Sequence, residues 1–389
     1  MNIIDIIKKN DYVLFISLGI SGYGLVIFFS GIFSVNSTLL AIVYRAIYLF
    51  GSLTLIIRYK IHSNLNSIIF KVIFLFWVLL TIRIVFDTFI YPKPLHFTLF
   101  KYYAFAYGVT FLPSMAYAQN VNKKIIFRSA ELSTFFLFII MLSTLFFPKY
   151  TIINLFLRLG THYFHPITIG HLAVTSILLS MYVIISKKRF DYIQIFHLIN
   201  IFVSFLVLLL TKSRGPLLAL AIVLFVSFIS SGKKIFSFFN NKKYFYSTLF
   251  LICLLPLAMF QRMNYTISFG DARLVLWKES IKQFKEFPYI GSSLEILKYN
   301  TYPHNLFLEG FMSTGVLGGV LISVISIYTL YLSIKLIHQA SYKAVIGILY
   351  LQVFVGAMFS LSIIGNSLFW YLTFLTLSNK PLLKDNLKT

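Results

Sequence analysis

Three arginines and one histidine have the residue types and positions that phosphate binding and proton transfer require. Arg158 and Arg214 lie at the edges of long apolar segments, and Arg273 lies at the start of an amphipathic stretch within a polar segment. His304 lies where that polar segment gives way to another apolar one. A guanidinium stays charged at any relevant pH and binds two phosphate oxygens side by side. A neutral imidazole within reach of a hydroxyl can remove its proton. The four side chains therefore suit chemistry in which a phosphate leaves and a hydroxyl attacks.

The polar segment before His304 leads into a predicted helix that carries the histidine at its start. Pro303 disfavours the α conformation before it, and Asn305 is a good capping residue, so the helix is predicted to begin at His304. Gly315 follows His304 by eleven positions. That spacing is close to three helical turns, so the two residues are predicted to lie on one face, roughly 16 Å apart. A glycine there would leave the helix face below the histidine open, or would allow another helix to pack closely on it.

The patterns around these residues resemble the O-antigen polymerase and O-antigen ligase superfamily. The resemblance rests on His304 with Gly315 after ten intervening residues and on three arginine contexts, Arg158-x-x-Gly-Thr, Ser-Arg214-Gly and Arg273-x-x-x-Trp. It covers much of residues 150–320, and the amino-terminal third matches in topology alone. In one respect the chain departs from the superfamily, because Gly170 follows Arg158 after eleven intervening residues rather than ten.

The resemblance implies an all-α, GT-C-like membrane glycosyltransferase that polymerises oligosaccharide repeat units carried on polyprenyl diphosphate. Arg214, Arg273 and His304 would be catalytic, and Arg158 and Asn305 would bind substrate. His304 is interpreted as the general base that deprotonates the acceptor sugar hydroxyl, with inversion at the anomeric carbon. The alternative is that His304 hydrogen-bonds a diphosphate oxygen as a cation. The product would be an O-antigen or capsule-type polysaccharide made outside the cytoplasmic membrane.

Neither a metal ion nor another cofactor is predicted to take part. The acidic residues of the long polar segment are scattered, at Asp271, Glu279, Glu286 and Glu295. Arginines could stabilise the charge of the leaving diphosphate instead. His162, His165 and His171 lie close together in the sequence, but no carboxylate accompanies them as a ligand. Sugar contacts or loop packing suit these histidines better than a metal site.

Composition indicates an integral membrane protein. Of the 389 residues, 59% are hydrophobic and 12% are charged, and the mean hydropathy is +0.85. The net charge of +23 comes from short basic clusters between apolar segments, which membrane topology explains better than nucleic-acid binding. The lone cysteine, Cys253, excludes an internal disulfide and fits a packing role.

The chain is predicted to form one transmembrane domain over residues 1–389, with both termini in the cytoplasm and the site outward. The basic clusters alternate between the ends of the apolar segments in a positive-inside pattern. About twelve spans are predicted, near residues 12–33, 37–58, 67–90, 97–118, 126–147, 167–186, 192–211, 215–230, 244–260, 304–335, 343–363 and 365–379.

Two outward segments, residues 148–166 and 261–303, are longer than ordinary connections, which suggests a function. In the second, Leu274, Trp277, Ile281 and Phe284 recur at helical spacing. They predict an amphipathic helix on the outer membrane surface, with Asp271 as its cap and Pro288 at its end. The alternative is a helix packed on the membrane domain without a part in the chemistry.

Basic residues inside the predicted spans are the last candidates. Arg45, Arg83 and Lys101 fall in the outward halves of their spans, and charge within a membrane usually faces a cavity or a partner. They are predicted to line an outward basic cavity that binds substrate. Arg83 and Asp87 are also four residues apart, so mutual pairing is the alternative for this arginine.

Three other functions stay open at the level of sequence. A ligase that moves finished polymer onto lipid A core, or an oligosaccharyltransferase, would use the same arginines and histidine. A lipid-linked oligosaccharide flippase or other transporter would place polar groups near the bilayer midplane on broken, repeated helices, and the sequence has no such pattern. The expected partners are polyprenyl-diphosphate-linked oligosaccharides and membrane lipids, and a chain-length regulator and a flippase are further candidates.

Overall fold

A computed structural model describes residues 3–33, 37–59, 65–90, 99–146, 165–187, 191–239, 268–360 and 362–380. Within these ranges the chain is helical apart from turns and one isolated β-bridge, between Ile296 and Thr301. The prediction of an all-α protein is thus confirmed for the part of the chain that the structure describes.

The α-helices of these ranges are, in chain order, α1 (Ile3–Phe33), α2 (Ser37–Arg58), α3 (Ile68–Val85), α4 (Leu99–Tyr103), α5 (Leu112–Ala116), α6 (Lys123–Phe146), α7 (Pro166–Ser186), α8 (Tyr192–Leu210), α9 (Arg214–Phe239), α10 (Ser268–Glu286), α11 (Leu306–His338), α12 (Ala344–Ala357) and α13 (Ser367–Ser378). A π-helical turn, Phe86–Ile90, continues α3, and a second one, Ala104–Phe111, joins α4 to α5.

Seven helices in the described ranges are long and apolar enough to cross a membrane: α1, α2, α3 with its π-helical turn, α6, α7, α8 and α11. Together with the family match reported below, they indicate a multi-pass membrane protein. The apolar helices α12 and α13 have 14 and 12 residues, so they are shorter than a hydrocarbon core of about 30 Å. The predicted span 244–260 lies outside the described residues, and the total of about twelve spans stays a prediction.

One predicted span is shorter than its apolar sequence suggested. Residues 343–363 form α12 and then leave the helix at Met358, so the following residues make turns. The Asn366 side chain then accepts a hydrogen bond from the Phe369 amide and caps α13. Apolar composition alone could not locate this break, because both the helix and the turn are largely buried.

The helices pack so that one end of the bundle gathers the predicted site. α11 packs against α12, α3, α9 and α10, and α7 packs against α8, α6, α9 and α12. The first turns of α7, α9 and α11 and the last turn of α12 meet there, as the contacts given below show. We call this end of the bundle the His304 end.

The amphipathic helix is present as α10, and it ends at Glu286, two residues before the predicted stop at Pro288. Its predicted start was wrong, because the helix begins at Ser268 rather than at an Asp271 cap.

The apolar stripe is divided between two surroundings. Leu274 and Ile281 are 49% and 41% exposed. Trp277 and Phe284 pack against the rings of Phe359 and Phe311.

The packed face of α10 also carries a buried glutamine, Gln283. Gln283 Nε2 donates to Ser292 Oγ at 2.8 Å, and Gln283 Oε1 accepts from the Leu297 amide at 3.0 Å. These bonds hold residues 287–305, the return segment, against the helix. The buried amide of Gln283 is therefore paired within the protein.

Candidate functional site

His304 lies in front of α11 rather than on it. The helix begins at Leu306, and Asn305 is its cap, with the Asn305 Oδ1 atom accepting from the amides of Phe307 and Leu308 at 3.1 Å each. The predicted capping role of Asn305 is confirmed. His304 was predicted to be the first helical residue, and this was wrong. Asn305, as the cap, has a non-helical backbone, and so does His304 before it.

The backbone of His304 has the left-handed conformation, with φ of +54°. A non-glycine residue in this region costs about 1–3 kcal/mol and persists only where its surroundings impose it. Both neighbours of His304 are anchored to other helices. Trp277 Nε1 donates to the Pro303 carbonyl at 3.0 Å, and Asn305 Nδ2 donates to the Met358 carbonyl at 3.3 Å. The histidine is therefore held in place by α10 on one side and by the end of α12 on the other.

Gly315 does not share a helix face with His304, because α11 is kinked at this glycine. Its φ and ψ are +67° and −164°, outside the helical region. The return segment inserts at the kink, where the Ser292 amide donates to the Met312 carbonyl and the Val316 amide donates to the Pro288 carbonyl, each at 2.8 Å. A Cβ on Gly315 would overlap the backbone of Tyr289. The glycine thus allows two backbones to meet closely, and only glycine adopts this φ without strain.

Arg273 lies in the second turn of α10 and packs on an aromatic ring. Its guanidinium carbon is 5.9 Å from the ring centroid of Phe359, and that ring is 6.4 Å from the ring of Trp277. Burial lowers the pKa of the Arg273 guanidinium from its ordinary value, although an arginine remains charged in proteins. Phe359 follows the end of α12 and contacts both Arg273 and Trp277. Because Trp277 bonds to the residue before His304, these contacts connect the surroundings of Arg273 with those of His304.

Arg214 is the first residue of α9 and is exposed. The same turn of α9 packs on α7 through Pro216 and Gly170, where a Cβ on the glycine would come 2.7 Å from Pro216 Cγ. Gly170 therefore has a close-packing role despite the changed spacing from Arg158. This contact brings the start of α9, with Arg214, next to the start of α7.

A buried carboxyl group lies one turn into α11. Glu309 is 4% exposed, and its Oε1 atom accepts from the Ile363 amide at 3.0 Å. Its Oε2 atom is buried and has no hydrogen-bond partner among the described residues. Nearby, the Tyr102 hydroxyl donates a hydrogen bond to Glu295. Burial raises the pKa of Tyr302, and the charges of Glu295 and Glu309 raise it further. Buried acidic residues thus lie close to the start of α11, and no signal in the sequence indicated their burial.

Residues 199–323 match the family model described as O-antigen ligase. This match confirms the resemblance to the O-antigen polymerase and ligase superfamily. A search among curated proteins gave no match. The O-antigen ligase family comprises glycosyltransferase-like enzymes. The matched range contains Arg214, Arg273, His304 and Asn305, so the family model and the contacts at the His304 end single out the same part of the chain.

The remaining candidate residues lie outside the matched range. Arg158 is outside the described residues. Arg45 stacks on the rings of Tyr23 and Phe105, with its guanidinium carbon 5.3 and 4.5 Å from their centroids. Lys101 is exposed on α4. Substrate binding by Arg158, Arg45 and Lys101 stays a prediction.

Arg83 requires a correction. Its side chain is 4% exposed and pairs with Asp87, which is fully buried, so the alternative reading of this arginine is confirmed. The pair also holds the return segment, since Arg83 Nη1 donates to the Gly291 carbonyl at 3.0 Å and Asp87 Oδ2 accepts from the Leu294 amide at 2.9 Å. These bonds occupy the guanidinium within the protein, so Arg83 holds the return segment in place rather than lining a cavity.

Proposed function

We propose that the protein is a membrane glycosyltransferase that polymerises polyprenyl-diphosphate-linked oligosaccharide repeat units. The product is an O-antigen or capsule-type polysaccharide, and transfer occurs on the outer face of the bacterial cytoplasmic membrane. The proposal includes a GT-C-like arrangement of about twelve spans, both termini in the cytoplasm and the His304 end outward. A chain-length regulator and a flippase are its proposed partner proteins.

The observation that carries this proposal is the aromatic connection between Arg273 and His304. Phe359 contacts Arg273 on one side and Trp277 on the other, and Trp277 donates to the carbonyl of the residue before His304. A cation suited to phosphate and an imidazole suited to proton removal are thus fixed relative to each other by one rigid set of contacts. Fixed geometry of this kind is what a group transfer between two bound substrates requires.

In the proposed reaction, Arg273 and Arg214, joined by Arg158, hold the diphosphate of the donor chain. His304 takes the proton from a hydroxyl of the acceptor sugar. The hydroxyl oxygen forms a bond to the donor's anomeric carbon on the face opposite the diphosphate, and the bond from that carbon to the phosphate oxygen breaks. The anomeric configuration is inverted, and polyprenyl diphosphate leaves with its negative charge balanced by the arginines.

A ligase is the second candidate function, because the matching family model is described as O-antigen ligase. A ligase would use the same donor and the same residues but would accept lipid A core instead of another lipid-linked unit. The two functions differ in the acceptor alone.

The deciding experiment incubates purified protein with lipid-linked repeat units, with and without lipid A core, and separates the products by size. A ladder of longer lipid-linked chains without the core is expected for the polymerase. Product that forms only in the presence of the core would identify a ligase. Absence of any product with either acceptor, in protein that is folded, would contradict both functions and favour transport.

A further inference from the structure

His171 lies in the second turn of α7, and contacts of its backbone and its ring fix its position. Its carbonyl accepts from Gln352 Nε2 at 3.0 Å and from Thr175 Oγ1 at 2.9 Å, which ties this turn to α12. Its ring lies over Gly356, where a Cβ would come 3.0 Å from His171 Cε1. The glycine of α12 therefore leaves the space that the imidazole ring occupies at the His304 end.

The His171 ring faces Gly356, and the Arg273 guanidinium packs on Phe359 three residues further along the chain, so both side chains lie at the end of α12. Neither the ring of His171 nor the guanidinium of Arg273 forms a hydrogen bond or an ion pair with any residue in the described ranges. Both groups carry N–H donors, and the imidazole has at least one in either protonation state. Two partly buried donor groups at the same end of α12, with no acceptor bound to either one among the described residues, form a site for an anion.

Another histidine of the bundle shows the contrast. His197 is buried on α8 and has a protein partner, with Nδ1 lying 3.4 Å from Ser180 Oγ. A histidine that only fills space between helices thus finds a hydroxyl in this protein. His171 instead lies at the same end of α12 as Arg273, and its ring has no hydrogen-bond partner among the described residues.

We propose that His171 is a further ligand-contacting residue, which donates a hydrogen bond to an oxygen of the diphosphate held by Arg273. This inference rests on the proposed function, because that function supplies the diphosphate ligand. The imidazole and the guanidinium together would bind two oxygens of the same group. His171 would thereby fix the orientation of the donor's leaving group relative to His304.

The test measures binding rather than turnover, with the full-length protein in detergent and farnesyl diphosphate as the probe in isothermal titration calorimetry. A hydrogen bond to a charged group contributes enough that His171→Leu should raise the Kd by about tenfold or more. His171→Gln keeps an N–H donor and should raise it by less than about threefold. His197→Leu is the matched control and should bind like the wild type, and farnesol controls for the apolar tail.

A second variant leaves the imidazole in the protein. Gly356→Ala pushes the His171 ring with the added Cβ, so it should weaken binding of farnesyl diphosphate in the wild-type background and have little further effect in His171→Leu. Thermal unfolding shows which variants fold. If His171→Leu does not fold, the binding of farnesyl diphosphate by Gly356→Ala tests the proposal.

The outcomes separate this inference from the proposed function. Unchanged binding by folded His171→Leu, with binding lost in Arg273→Ala, would overturn the role of His171 and leave the function standing. Equal loss in His171→Leu and His171→Gln would show that the ring matters for packing alone, which also overturns the inference. Unchanged binding in Arg214→Ala and Arg273→Ala, or no binding by the wild type, would instead contradict the diphosphate site of the proposed function.

Discussion

Two polar regions of the bundle differ in how completely their side chains are paired within the protein. Between α6, α7 and α8, the Asn200 amide satisfies all of its hydrogen-bonding atoms within the protein. Its Oδ1 atom accepts from Ser176 Oγ at 3.0 Å and from Ser204 Oγ at 3.2 Å, and its Nδ2 atom donates to Ser180 Oγ at 2.9 Å and to the Thr134 carbonyl at 3.4 Å. This Asn200 network joins three helices.

At the His304 end the polar groups are less completely paired. The Arg273 guanidinium packs on an aromatic ring, the His171 ring lies at the same end of α12, and the Glu309 Oε2 atom has no partner among the described residues. Buried polar groups without protein partners are costly, so they are retained where a ligand or a reaction uses them. The comparison predicts that changes in the Asn200 network affect stability, whereas changes at the His304 end affect binding and turnover.

The largest effect is expected at His304. His304→Gly removes the proposed base, so turnover should fall by about 10²–10⁴-fold. Glycine adopts the left-handed backbone without strain, so the same variant should keep or raise the midpoint of thermal unfolding. Turnover and unfolding are measured on one preparation.

The pH profile sharpens the assignment of His304. A general base is lost when the imidazole is protonated, so wild-type turnover should decrease as the pH falls. Highest turnover at acidic pH, or substantial turnover by His304→Ala, would contradict the general-base role and favour a cationic histidine that binds phosphate.

The next largest effect is expected at Arg83, whose Nη1 and Nη2 atoms are hydrogen-bonded within the protein. Arg83→Met would leave the Asp87 carboxylate buried without its cation and should lower the free energy of unfolding by about 3–5 kcal/mol. Thermal unfolding measures the loss, and turnover per folded molecule should change much less. Normal stability together with lost turnover would restore Arg83 to the substrate site.

Replacing arginine by lysine tests the phosphate contacts while keeping the charge. Arg214→Lys and Arg273→Lys lose the paired donors of the guanidinium, so each should lower turnover by about tenfold or more. Expression and thermal unfolding should stay close to wild type. Near-normal turnover in both variants would indicate that these residues anchor the protein to lipid headgroups.

A smaller effect is expected in the Asn200 network. Asn200→Leu leaves the hydroxyls of Ser176, Ser180 and Ser204 to find new partners and should destabilise the protein by about 1–2 kcal/mol. The midpoint of thermal unfolding reports this loss. Turnover per folded molecule should be unchanged, and a large decrease would break the distinction between the two polar regions.

The smallest effect is expected from a chelator. Among the described residues there is no group of three or more His, Cys, Asp or Glu side chains that could hold a metal ion. Polymer formation should therefore be the same with and without chelator. Loss of polymer that magnesium or manganese restores would contradict metal-independent transfer.

The sequence by itself determined the features that depend on composition or on close neighbours in the chain. A mean hydropathy of +0.85 is enough to indicate a membrane protein, because apolar surface must be removed from water. The Asn305 cap and the pairing of Arg83 with Asp87 follow from spacings of at most four residues. The existence of α10 follows from apolar periodicity for the same reason.

The tertiary structure decided which distant residues share the site. The left-handed backbone of His304 is imposed by Trp277 and Met358, and the kink at Gly315 is imposed by the return segment. Neither contact has a local signal in the sequence, so a regular helix through His304 and Gly315 was predicted. Likewise, His171 and Arg273 meet the end of α12 at Gly356 and Phe359, although both are far from α12 in the sequence. Local propensity favours an uninterrupted helix, and only the packing of α7, α10 and α12 around the start of α11 outweighs it.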